Sequence, residues 1–183
     1  FVVIGLANFM PAALLLRLCG ARAPIALVIH GIEAWRRLGP AGRAGLRAAN
    51  VVVAVSDFTR GRFCELNGFP AERTRVVPNT LDPSWCARLM APAAPRPQEL
   101  EGRLVLLSVA RLEACEGYKG VDRVIESLPE VVRRFPRALY CVVGDGDERP
   151  GLERLAADLG VAAHVRFLGR VSEDMLAACY QWC

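Results

Sequence analysis

The chain has 183 residues, 53% of them hydrophobic and 23% charged, which excludes a disordered segment and fits one ordinary domain or two incomplete ones. Its net charge of +4 is uneven: residues 1–82 carry ten arginines against five acids, residues 83–183 thirteen bases against fourteen acids. There is no basic stripe interleaved with aromatics, no apolar run of the roughly 18–20 residues that span a bilayer, and no CxxC among the seven cysteines. Nucleic-acid binding, a membrane-spanning helix and a disulfide framework are therefore not expected, and a reducing cytoplasm fits.

In chain order, Phe1–Ile4 reads as the end of a buried strand, and Pro11–Cys19 as a short helix stopped by Gly20. Ile25–Ile29 is a second strand running into His30-Gly31-Ile32-Glu33. A short helix is expected over 41–49, and Val51–Val55 is a third strand. Ser56 is placed to cap a helix over Asp57–Leu66 that Asn67-Gly68 ends, and Arg75–Val77 is a short fourth strand. Residues 83–103 hold Pro92, Pro95 and Pro97 among alanines and read as a linker. A second alternation follows: a buried strand at 104–109, helix 120–134, strand 138–143, a glycine-bearing loop at 144–146, helix 151–159, strand 164–168 and helix 172–181. Strands alternating with helices predict parallel sheets covered on both faces. The expected domains are 1–82 and 104–183. With Phe1 in place of a Met and a helical pattern running up to Cys183, the chain reads as an internal piece with both domains incomplete.

The stretch around which the chemistry gathers is 104–126. Two cations, Arg111 and Lys119, flank the loop between a strand and a helix, where open α/β sheets hold anions. Lys119 is the only lysine, so a compact ammonium is selected there against a strong preference for arginine. His30 stands at the carboxyl end of a strand, able to hydrogen-bond a sugar hydroxyl or a developing charge. Gly144 and Gly146 would let backbone N–H groups approach an anion, although Gly144-Asp145-Gly146 does not make a dinucleotide fingerprint. Gly169, Arg170 and Val171 follow the last strand as a backbone on which a base or ribose could rest. His164 has no expected role, Cys141 reads as core, and no cluster has metal-ligand spacing.

Together these segments resemble family 4 of the glycosyltransferases. His30-Gly31-Ile32-Glu33-Ala34-Trp35 is similar to the family's histidine loop. Val53–Thr59 and Val76–Asp82 resemble its passage between domains, and Ala110-Arg111-Leu112 with Tyr118-Lys119-Gly120 its diphosphate-binding pair. Val143–Gly146 and Phe167–Gly169 resemble later turns of its nucleotide domain. The Arg111–Lys119 loop is longer than in many members, and Thr80 stands where glycine is common. The resemblance implies an α/β fold of two Rossmann-like domains of the GT-B type. It implies a retaining transferase that moves a sugar from a GDP- or UDP-linked donor to a glycan, lipid or small-molecule acceptor, a carbohydrate or lipid-linked one as partner, without a metal or other cofactor. Arg111 and Lys119 would hold the leaving diphosphate and His30 would act on the donor sugar; Gly144, Gly146, Gly169, Arg170 and Val171 would complete the donor site. A cytoplasmic protein with peripheral contact at the inner membrane face is expected. The family's Glu-x7-Glu segment falls past Cys183, so the expectation for the piece by itself is inactivity. The alternative is a binding module for a nucleotide or sugar phosphate; the incomplete glycine pattern argues against a nicotinamide oxidoreductase.

Overall fold

The structure is a computed structural model that describes residues 1–92 and 94–183. Ala93, inside the expected linker, lies outside the described residues. The chain divides into two units, Phe1–Thr80 and Leu81–Cys183, each built on a parallel sheet.

The first unit has strands β1 (Val2–Ile4), β2 (Ile25–Ile29), β3 (Val51–Ala54) and β4 (Thr74–Val76), hydrogen-bonded in that order and all parallel. Helices α1 (Met10–Leu18), α2 (Pro40–Leu46) and α3 (Asp57–Asn67) connect them. Alternation at period two decides the core: Ile25, Leu27, Ile29, Val52 and Ala54 are buried on one face with Met10, Leu46 and Phe63 from the helices. Ala26, Val28, Val51 and Val53, on the other face, are only half-buried, short of the two-sided cover expected. The Ser56 hydroxyl accepts the Thr59 backbone N–H at 3.1 Å and caps α3, as its sequence predicts.

The second unit has β5 (Leu104–Val109), β6 (Ala138–Val143) and β7 (Val165–Gly169), again parallel and in sequence order. It also carries α4 (Pro83–Met90), α5 (Val121–Arg134), α6 (Arg149–Asp158) and α7 (Glu173–Trp182). Central strand β6 is buried along its whole length. Tyr140 and Val142 face Ile125 and Leu128 of α5 and Leu152 and Ala156 of α6; Leu139 and Cys141 face Leu100 and Trp182. Burying each of the larger aliphatic side chains contributes about 1.5–3 kcal/mol. Burial pushes the Cys141 thiol up to about 11, with Cys179 nearby adding to the shift, so Cys141 is an inert core thiol.

Two further expectations differ from the structure. The first is the buried strand at 104–109: β5 lies at the edge of its sheet with β6 as its neighbour, and Leu104 and Leu106 are 49% and 41% exposed. A continuous apolar run signals a strand but not how many of its faces are covered. The second is the linker at 83–103. Asp82 Oδ1 accepts the Ser84 N–H at 2.8 Å, Pro83 takes the first helical position, and α4 forms and packs on α7. Arg88 of α4 pairs with Asp174 and Glu173 in the first turn of α7, and Gln181 donates to the Leu89 and Ala91 carbonyls. Residues from Leu81 onward thus fold with the second unit.

Candidate functional site

At the carboxyl edge of the second sheet, three loops meet. The loop after β5 leaves through Ala110-Arg111, tightens into a 3-10 turn over Ala114–Lys119, and enters α5 through Gly120. Gly120 has φ +73°, a left-handed conformation that glycine adopts without a Cβ penalty, so it fixes how Lys119 is presented next to the helix. The loop after β6 is zipped to the first: Leu112 N–H donates to the Asp145 carbonyl at 3.1 Å, Glu148 N–H to the Leu112 carbonyl at 2.8 Å, and Ala114 N–H to Asp147 Oδ1 at 3.0 Å. The third loop leaves β7 after a register shift against β6, where Val142 pairs with Phe167 but Val143 with Gly169. That bulge turns Gly169-Arg170-Val171 toward the other two loops.

These loops enclose a cleft of about 550 Å³ lined by Arg111, Glu116, Lys119, Gly144, Arg170 and Val171, among others. Five residues expected at the donor site therefore share one cavity wall. Gly146 and Gly169 stand in the supporting loops and do not line it. The role expected of the glycine N–H groups is not available here. Gly144 N–H donates to the Gly169 carbonyl at 2.8 Å, and Gly146 N–H to Asp145 Oδ1 at 3.0 Å. What these glycines supply is close approach: a Cβ on Gly144 would run into the Ala110 carbonyl, and one on Gly146 into that of Leu112.

The charge of the cleft is mixed. Arg111, Lys119 and Arg170 bring three cations; Glu116 and Asp145 bring two carboxylates. The Lys119 ammonium lies 4.9 Å from the centre of the Tyr118 ring. Arg111 is ion-paired with Glu116. Residue spacing does not single out Glu116, because its pairing depends on how the 114–119 turn folds.

In the first unit, His30 follows β2 at the carboxyl edge and is exposed. Its loop is held by Glu33, whose carboxylate accepts the backbone N–H groups of His30 at 2.7 Å and Gly31 at 3.1 Å. Partial burial pushes the Glu33 carboxyl up, but those N–H groups and the nearby His30 ring outweigh it and hold the group below its ordinary value. Trp35 ends the loop, stacked edge-to-face on Phe58 and donating its indole N–H to Thr59 Oγ1 at 3.3 Å. His164, by contrast, shares a 2.8 Å hydrogen bond between Nδ1 and the Ala138 carbonyl, a structural contact.

Comparison with known proteins bears on both halves. Residues 92–183 match the family Glycosyl transferases group 1, and residues 3–85 match Glycosyltransferase Family 4. Over 169 residues the chain is 35% identical to the GDP-mannose-dependent alpha-(1-6)-phosphatidylinositol monomannoside mannosyltransferase of Mycolicibacterium smegmatis. That match takes in 90% of this chain and 43% of the relative. Among solved structures, alpha,alpha-trehalose 6-phosphate synthase from Burkholderia multivorans aligns with a TM-score of 0.71 at 17% identity, over 99% of this chain and 48% of that one. HepE from Anabaena, in complex with UDP, aligns with a TM-score of 0.66 at 22% identity, over 98% and 51%. At these identities the structural likeness speaks for the fold. The chain spans less than half the length of the mannosyltransferase it matches.

Proposed function

Because the chain belongs to the glycosyl transferases group 1, with parallel-sheet units of the GT-B type, we propose that its whole protein transfers a sugar from a nucleoside-diphosphate donor to a glycolipid acceptor. The observation that carries this reading is the placement of Arg111, Lys119 and Arg170 in one cleft at the carboxyl edge of β5–β7. A departing nucleoside diphosphate accumulates negative charge as the glycosidic bond breaks. Fixed cations in a partly dehydrated cleft stabilise that charge more than water does. Arg111 and Lys119 are assigned to the diphosphate, and the Gly169-Arg170-Val171 backbone to the nucleoside. These cations supply the charge compensation, so the reading calls for no divalent metal.

His30 is assigned to the donor sugar, and the anomeric configuration is retained. The similarity to a GDP-mannose-dependent enzyme favours GDP-mannose over a UDP-linked donor. The acceptor is taken to be lipid-linked, with the protein resting on the cytoplasmic face of an anionic membrane. Among the described residues no helix is long and apolar enough to cross one. Exposed Phe9, Leu15 and Leu18, in the half that carries the arginine excess, support surface contact instead.

The test is titration of the whole protein with GDP and UDP, followed by a transfer assay with GDP-mannose and a phosphatidylinositol mannoside. Binding of GDP with transfer in EDTA supports the reading, and NMR of the product's anomeric proton checks retention. Absence of binding by both nucleotides overturns it.

A further inference from the structure

Glu116 has an arrangement that the proposed reaction does not use. Its side chain is only 11% exposed, whereas that of Arg111, its ion-pair partner, is 70% exposed. One carboxylate oxygen meets Arg111; the other, Oε2, is buried and without a hydrogen-bond partner among the described residues. A half-satisfied buried carboxylate is costly, and Arg111 is what holds it. Both residues line the same cleft as Lys119.

We propose that Glu116 is a built-in anion that competes with the donor's diphosphate for Arg111, weakening ground-state and product binding. This rests on the donor-cleft reading above. Two consequences follow from the geometry. An incoming diphosphate reaches Arg111 from its solvent side, while Glu116 lies on the protected side and keeps the guanidinium aligned. Once the diphosphate engages, one guanidinium faces two anions, or Glu116 is left buried without its partner; either raises the free energy of the bound state. Glu116 thereby limits how tightly the nucleoside diphosphate product is kept, and so acts as a positioning residue for Arg111 that also favours product release.

The decisive variant is Glu116→Gln, which keeps size and one acceptor oxygen but removes the charge. Isothermal titration of the whole protein with GDP should show roughly tenfold tighter binding than wild type, the scale of one unfavourable charge contact in a partly exposed site. Glu116→Asp, which keeps the charge, should not tighten binding. In an Arg111→Ala background the gain from Glu116→Gln should vanish, since the competition is for that guanidinium. Equal or weaker GDP binding by Glu116→Gln overturns the inference and makes Glu116 a loop staple. If that variant does not fold, Glu116→Ala must show the same tightening, and its absence is equally decisive. Wild-type protein that binds no GDP or UDP sinks the donor-cleft reading itself, a result distinct from wild type binding and Glu116→Gln not gaining.

Discussion

The Glu33 carboxylate receives the backbone N–H of His30 at 2.7 Å, so the loop carrying the first unit's candidate residue is fixed by a side chain three positions along. The same carboxylate takes the Gly31 N–H at 3.1 Å, and its pKa is held below the ordinary value. A carboxyl depressed in the folded state stabilises the fold above its unfolded pKa, about 4.3, and that contribution disappears as pH falls through the folded value. Glu33→Gln, which weakens both bonds, should destabilise the protein by about 1 kcal/mol at pH 7. The difference should shrink toward zero once the pH is well below 4. Thermal melting of both proteins from pH 7 to pH 3 checks this; a gap independent of pH would mean that the loss is steric.

Lys119 and His30 should fail differently. With Lys119 assigned to the leaving diphosphate, Lys119→Ala in the whole protein should lower turnover by roughly 10²–10³-fold. His30→Ala should impair transfer while leaving GDP affinity close to wild type, because His30 is assigned to the sugar. Steady-state kinetics with GDP titration separates the two. Wild-type turnover in Lys119→Ala would remove the diphosphate assignment, and unchanged transfer in His30→Ala would make the histidine structural.

Much of this architecture is legible from residue spacing, and the exceptions have identifiable causes. Val121, Ile125 and Leu128 recur at helical period and are all buried in α5, and Ser56 caps α3 as its position predicts. Asp82-Pro83 is a helix-start pattern for α4, but Pro92, Pro95 and Pro97 give the whole of 83–103 the composition of a linker. Leu104 and Leu106 look like core in any window, because whether a second face is covered depends on elements distant in sequence. At the site, Arg111 and Lys119 could be found from their place between strand and helix. The engagement of Gly144 N–H with Gly169 and the Arg111–Glu116 pair could not, since both arise from loop geometry.

The proposed surface contact with a membrane should depend on lipid charge. Phe9, Leu15 and Leu18 are exposed in the arginine-rich half, and apolar insertion combined with electrostatic attraction favours anionic bilayers. Co-sedimentation with vesicles containing phosphatidylinositol or phosphatidylglycerol should exceed that with phosphatidylcholine alone, and should fall when salt is raised from 0.1 to about 0.5 M. Leu15→Ser with Leu18→Ser should reduce it further. Equal binding to neutral vesicles would discard the electrostatic part.

The two glycines that shape the cleft should tolerate alanine to different degrees. Gly120 and Gly144 both have positive φ, +73° and +129°. An added Cβ on Gly120 meets nothing within 4 Å, so Gly120→Ala carries the left-handed backbone cost alone, about 1 kcal/mol. On Gly144 the Cβ would collide with the Ala110 carbonyl, a backbone atom at the end of β5 that cannot turn aside as a side chain would. Relieving that collision means separating β5 and β6 where Ala110 N–H bonds the Val143 carbonyl at 3.0 Å, or breaking the Gly144–Gly169 bond. Gly144→Ala should therefore cost about 3 kcal/mol or more, a backbone strain together with a disrupted backbone hydrogen bond. Urea denaturation should rank the variants wild type, Gly120→Ala, Gly144→Ala in falling midpoint. Equal midpoints for the two variants would mean that the loop after β6 shifts freely, and the close approach that narrows the cleft would then not be a rigid feature of the fold.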